Sequence, residues 1–165
     1  VGQAGPYLVT GQQLLVPEDS DVASTDDLSG EEVCSVTGST SLENIKAEGM
    51  KPVGFDTYSE CVEKVLDGTV QAMSTDGTIL AGYAAQDQYK GKLKVVGQPF
   101  SEERYGIGLK KGDTAQCQKI TDAINKMISS GEWQKIVDAN LGAAGYEPPA
   151  GNPPTPDACA CWTAP

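Results

Sequence analysis

The sequence predicts an α/β fold from three observations. Short apolar runs alternate with helical patterns between residues 33 and 96, glycines stand at the helix ends, and apolar positions within the helical patterns recur three and four residues apart. Such alternation implies βαβ crossovers and a parallel sheet covered on both faces. At 165 residues the chain can bury a core as one domain or as two small ones.

Taken in order, Val1 to Pro6 is Gly-rich and reads as irregular, Tyr7-Leu8-Val9-Thr10 as a short extended run, and Gln12 to Val16 as a strand stopped by Pro17. Glu18 to Asp27 is an acidic loop, and Thr25 to Leu28 is a helical turn closed by Gly30. A strand at 33 to 36 leads to a helix from about Ser39 to Glu48, with Glu43 near its start and Gly49 as its stop. Val53 to Phe55 is the next strand, and Tyr58 to Leu66 is a helix with Cys61, Val62, Val65 and Leu66 on one face. A strand at 70 to 73, a helix from Gly77 to Gln86 and a strand from Leu93 to Val96 complete the block. Tyr105 to Leu109 is a strand interrupted by Gly106 and Gly108, which marks a bend or a close backbone approach. Beyond it, a helix capped at Asp113-Thr114 carries Ile120, Ile124, Met127 and Ile128, Gly131 breaks it, and Glu132 to Asn140 forms another helix bearing Trp133, Ile136 and Val137. The tail from Tyr146 holds six of the ten prolines and reads as extended or loosely packed.

Composition narrows the function. A net charge of −11, from 23 acids and 12 bases, repels nucleic acid and anionic lipid. Histidine is absent, which removes His-based triads, His general bases and most zinc sites, and neither a metal nor a cofactor is expected. Five cysteines without a CxxC spacing favour disulfides in an oxidising compartment, and the odd count leaves one thiol over. No apolar run approaches the ~18 residues of a membrane helix, and no signal peptide is visible.

Two polar clusters at strand ends carry the chemistry. Val33 to Val36 ends in Thr37-Gly38-Ser39-Thr40-Ser41, and Val70 to Met73 ends in Ser74-Thr75-Asp76-Gly77. Backbone N–H groups and hydroxyls at a helix start make a seat for an anion. Asp76 at the neighbouring strand end supplies the opposite charge, and the pair suits a zwitterion, so the expected ligand is a free amino acid. Asp76 could also simply cap the following helix, a role compatible with binding the ligand.

The runs Cys34-Ser35-Val36-Thr37-Gly38-Ser39-Thr40-Ser41, Asp56-Thr57-Tyr58-Ser59-Glu60-Cys61 and Ser101 to Lys110 closely resemble the extracellular amino-acid-binding proteins of ABC transporters, above all the glutamate-binding proteins of actinobacteria. The resemblance runs from Ala4 to Cys159. It implies the two-lobed fold of type 2 periplasmic binding proteins, with this chain supplying a second lobe of parallel or mixed sheet with flanking helices, plus the closing helices of an incomplete first lobe. The implied divisions are 1–16, a crossing strand and remnant of the first lobe; 17–100, the second lobe; 101–145, the return crossing and first-lobe helices; and 146–165, a Pro-rich tail. The opening section of the first lobe, with the Arg that usually holds the ligand's α-carboxylate, is expected to be missing.

Carried over by motif, Gly38, Ser39 and Thr40 would bind the ligand carboxylate and Asp76 would accept from the α-amino group; Tyr58 and Tyr83, near the expected ends of helices facing the cleft, are the two candidates to read the side chain. The resemblance also implies a Cys34–Cys61 disulfide, and Cys117 with Cys159 is the second expected bridge, with Cys161 competing for the same partner. The implied function is non-enzymatic delivery of an amino acid, glutamate foremost, to a transporter permease at the cell surface, from a precursor that is lipid-anchored. An enzyme on the same fold, a dehydratase or a cell-wall lytic enzyme, is the alternative, but the groups around Asp76 are only Ser, Thr and Gly, without a second titrating partner. If the first lobe is incomplete, Ile120, Ile124, Met127 and Ile128 would be exposed, and a homodimer, a strand-exchanged assembly or disorder after Gly112 is expected.

Overall fold

In the computed structural model, which describes residues 2–142 and 145–159, burial with a period of two sets the architecture. Leu14, Val16, Val33 and Ala72 fill one core, and their neighbours Leu15, Cys34 and Met73 fill another. The strands are β1 (Gly2–Thr10), β2 (Gln12–Pro17), β3 (Glu32–Val36), β4 (Lys51–Phe55), β5 (Ala72–Asp76), β6 (Leu93–Val96) and β7 (Glu103–Leu109). The helices are α1 (Thr40–Ala47), α2 (Tyr58–Leu66), α3 (Gly77–Ala84), α4 (Thr114–Ser129) and α5 (Glu132–Leu141). The chain divides into two units, one of residues 11–101 with 145–146, the other of residues 2–10, 102–142 and 147–159.

The first unit is a five-stranded sheet in the order β4-β3-β5-β2-β6. Strands β3, β4 and β5 run parallel, whereas β2 is antiparallel to both β5 and β6. The sheet is therefore mixed. The run at Gln12, read from sequence with the crossing segment, is an inner strand because Leu14, Leu15 and Val16 each find a core. Its pairing also extends β5: Gln12 opposes Asp76 and Gln13 opposes Thr75, so the polar cluster expected after the strand lies within it.

Helix α1 packs Ile45 and Leu42 on one face with Leu28 and Met50, while α2 and α3 pack Cys61, Val62, Val65 and Leu80 on the other. Ser39 and Thr57 cap α1 and α2 by accepting from the N–H groups of Leu42 and Glu60. A disulfide joins Cys34 of β3 to Cys61 of α2.

In the second unit β1 pairs antiparallel with β7, with an irregularity between Ala4 and Leu8. The Gly-rich start, read as irregular, is a strand because β7 offers it partners from Gly2 to Ala4 as well as from Leu8 to Thr10. Gly106 lies against Gln3 and the Ala4 carbonyl, the close approach expected of a strand glycine. Leu8, Trp133 and Val137 form the core with Tyr7, Tyr105, Met127, Ile128 and Leu141 against it. The Trp133 indole N–H donates to the Tyr7 carbonyl at 2.6 Å. The stripe expected to be exposed on α4 is largely covered: Ile124 is buried and Ile120, Met127 and Ile128 are half-buried. Among the described residues, the exposed large apolar ones are instead Ile107 and Ile136.

The tail is tied down. Asn152 accepts from the Val9 N–H at 2.9 Å and donates to the Val9 carbonyl at 2.7 Å, Asp157 N–H donates to the Gly5 carbonyl at 2.7 Å, and Arg104 pairs with Asp157 at 2.8 Å. A disulfide joins Cys117 of α4 to Cys159, and Cys161 lies outside the described residues. Among the described residues, no helix is long and apolar enough to cross a membrane.

Two stability outcomes follow. Replacing both Cys34 and Cys61 by Ala releases a loop closed across 27 residues and lowers stability by about 3 kcal/mol in urea denaturation; an unchanged midpoint excludes that contribution. Asn152→Ala strips two hydrogen bonds from Val9 and costs about 1 to 3 kcal/mol, with faster amide exchange at Val9 as the local readout.

Candidate functional site

In an open α/β sheet the connections decide where a ligand fits. From β3 the chain passes through α1 to β4 on one side, and from β5 through α3 to β6 on the other. These helices lie on opposite faces of the sheet. The winding therefore reverses between β3 and β5, which opens a crevice at their carboxyl ends. Cys34 and Met73 are partners across the two strands, and Thr37 and Asp76 each lie three residues further on, so they flank the crevice.

On the β3 side, Gly38 turns the chain with φ +78°, a conformation that a residue with a Cβ rarely adopts. Ser39 then caps α1: its hydroxyl donates to the Val36 carbonyl at 2.7 Å and accepts from the Leu42 N–H at 3.2 Å. That hydroxyl is committed to the fold. At this helix start the Thr40 and Ser41 N–H groups have no carbonyl partner inside the helix, and the Thr40 side chain is exposed beside them, an arrangement able to meet an anion.

On the β5 side, Asp76 is half-buried and stands at the N-cap position of α3, yet its side chain makes no capping hydrogen bond. The Gly77 N–H donates to the Gly11 carbonyl at 2.9 Å, and a side chain at 77 would run into the Gln13 amide, which donates to the Gly97 carbonyl at 2.7 Å. Strand β2 thus fixes the corner that presents Asp76.

The two tyrosines differ. The Tyr58 hydroxyl lies 2.9 Å from Thr75 Oγ1, which is 3.3 Å from Ser41 Oγ, so Tyr58 is tied to the strand end that carries Asp76 and to the first turn of α1. The Tyr83 hydroxyl lies 3.2 Å from Ser59 Oγ, with its ring 6.4 Å from that of Tyr89. Tyr83 is turned toward α2.

Beneath these groups sits Gln12, wholly buried, and its amide makes three hydrogen bonds. The Nε2 donates to the Ser41 carbonyl and to Ser74 Oγ, each at 2.9 Å, and Oε1 accepts from Asn44 at 2.9 Å. Ser74 Oγ in turn donates to the Gln13 carbonyl at 2.7 Å. Sequence reasoning passed over Gln12 and Asn44. The one signal was a glutamine pair opening an apolar strand.

The crevice therefore offers a helix N-terminus with partial positive charge on one side and a carboxylate on the other, the complement of a zwitterion. Among the described residues no cluster of three or more Cys, Asp or Glu is placed to hold a metal ion.

No family model matches the chain. It is 44% identical over 151 residues to the glutamate-binding protein GluB of Corynebacterium efficiens, an alignment that covers 86% of this chain and 51% of that protein. It is 36% identical over 133 residues to the ABC transporter glutamine-binding protein GlnH of Bacillus subtilis, covering 79% of this chain and 48% of the relative. Both relatives are named as binding proteins. The fold matches the ligand-binding core of GluR0 from Nostoc punctiforme, solved in complex with L-glutamate, with a TM-score of 0.73 and 27% identity over 84% of this chain and 64% of that one. By sequence and by fold the chain is a homologue of the amino-acid-binding proteins of ABC transporters, and it spans about half the length of the curated relatives it matches.

Proposed function

We propose that the chain binds a free amino acid, glutamate foremost, at the carboxyl ends of β3 and β5, as part of a receptor that hands the ligand to a membrane permease. The carrying observation is the placement of the α1 N-terminus and Asp76 on either side of one crevice. The Thr40 and Ser41 N–H groups take the α-carboxylate, Asp76 takes the α-ammonium, and Tyr58 or Tyr83 meets the side chain. The likeness to glutamate- and glutamine-binding relatives supports an acidic or amide ligand. Binding is all this site has to achieve: hydrogen bonds and one ion pair hold the zwitterion, and the reading involves no bond making or breaking. The place of action is outside the cell, at the membrane surface, with a lipid-anchored precursor.

Self-association is a second proposal, resting on an apolar cleft of about 480 Å³ lined by Tyr7, Ile107, Ile120, Ala123, Ile124 and Met127. A second copy of the chain would cover Ile107 and the cleft beside it. Light scattering of a dimer that Ile107→Lys converts to monomer supports this, and a wild-type monomer at every concentration refutes it.

Calorimetric titration with L-glutamate, L-glutamine, L-aspartate and L-arginine tests the receptor reading. Glutamate is expected to bind with Kd below about 10 μM, worth roughly 7 kcal/mol. Asp76→Ala is expected to weaken it at least about tenfold, because the ammonium loses a charged partner. Absence of heat with every amino acid sinks the proposal.

A further inference from the structure

We propose that Tyr58 acts as a hydrogen-bond donor to the ligand's side chain, held in that sense by Thr75 and Ser41, so that the site selects amino acids whose side chain ends in an oxygen acceptor. The inference rests on the receptor reading above and deepens it. Three hydroxyls stand in series: Ser41 Oγ is 3.3 Å from Thr75 Oγ1, and Thr75 Oγ1 is 2.9 Å from the Tyr58 hydroxyl. Three protons serve two links, so one proton is left over, on Ser41, Thr75 or Tyr58.

Burial decides which. Ser41 is 6% exposed and Thr75 1% exposed, whereas Tyr58 is only half-buried. A left-over proton on Ser41 or on Thr75 would demand a further acceptor in the interior, where unpaired polar groups are costly. The series therefore runs with Ser41 donating to Thr75 and Thr75 donating to Tyr58. The phenol proton is left pointing outward, beside the strand end that carries Asp76. A carboxylate or carboxamide oxygen accepts that proton; a methyl group cannot accept it, and an ammonium group opposes it. Tyr83 lacks this arrangement, since its hydroxyl is engaged with Ser59 of its neighbouring helix.

Thr75 is a positioning residue here: it acts through the Tyr58 hydroxyl. Calorimetry of the full chain with L-glutamate and with L-norvaline, which has the same carbon chain without the terminal carboxylate, separates this role from a structural one. Tyr58→Phe is expected to weaken glutamate about tenfold and to leave norvaline unchanged, so that the glutamate preference falls by that factor. Thr75→Val, which keeps the shape and removes the hydroxyl, is expected to reproduce the selective loss, Thr75→Ser to restore it, and the double variant Tyr58→Phe with Thr75→Val to be no worse than either alone. Equal weakening of both ligands, or glutamate binding unaffected by Tyr58→Phe, overturns the inference while the receptor reading stands. A wild-type chain that binds neither ligand overturns the receptor reading and this inference with it. If Thr75→Val melts at a lower temperature, Tyr58→Phe alone decides, because the half-buried ring is retained.

Discussion

One buried amide holds the site in shape. Gln12 ties the first turn of α1 to β5 through the Ser41 carbonyl and Ser74, and it holds α1 a second time through Asn44. These are the two elements that carry the opposite poles of the crevice. A wholly buried amide left with one unmade bond costs about 1 to 3 kcal/mol, so its three bonds are held together or broken together. The separation of the helix N-terminus from Asp76 is thereby set by the interior.

The same logic explains why β2 runs against its neighbours. An antiparallel strand beside β5 brings Gln12 opposite Asp76 and Gln13 opposite Thr75. Had the run beginning at Gln12 stayed outside the sheet, Ser74 and Thr75 would have lacked backbone partners and the Asp76 corner would hang in a loop. Pairing converts that corner into sheet. The aliphatic residues that follow, Leu14, Leu15 and Val16, pin the register by filling both cores at once.

Much of this was legible in the sequence for physical reasons. Helix starts were visible because Ser39 and Asp113 are good caps, and their ends because glycine most readily takes the positive φ seen at Gly49 and Gly68. The βαβ block was visible from the period of its apolar residues. What remained hidden was non-local. Strand β5 reaches Asp76 because of a partner some sixty residues earlier, and the Gly-rich start is a strand because of β7 near residue 105. Neither fact has a local signal. Around the site, the clusters at Gly38-Ser39-Thr40 and at Asp76 stood out as polar breaks after apolar runs, whereas Gln12 looked like an ordinary strand residue until its burial was seen.

The attachment of Asn152 to Val9 has a meaning beyond the stability it adds. Among the described residues strand β1 pairs with β7 on one side only, and a strand with an open side is a template on which another chain can build. A side-chain amide places a donor and an acceptor on neighbouring atoms as a peptide group does, and Asn152 presents both to the outer side of Val9, while the Asp157 N–H occupies the Gly5 carbonyl. The tail thus imitates a neighbouring strand at the two places where β1 would invite one. It blocks edge-to-edge growth without itself offering a new edge.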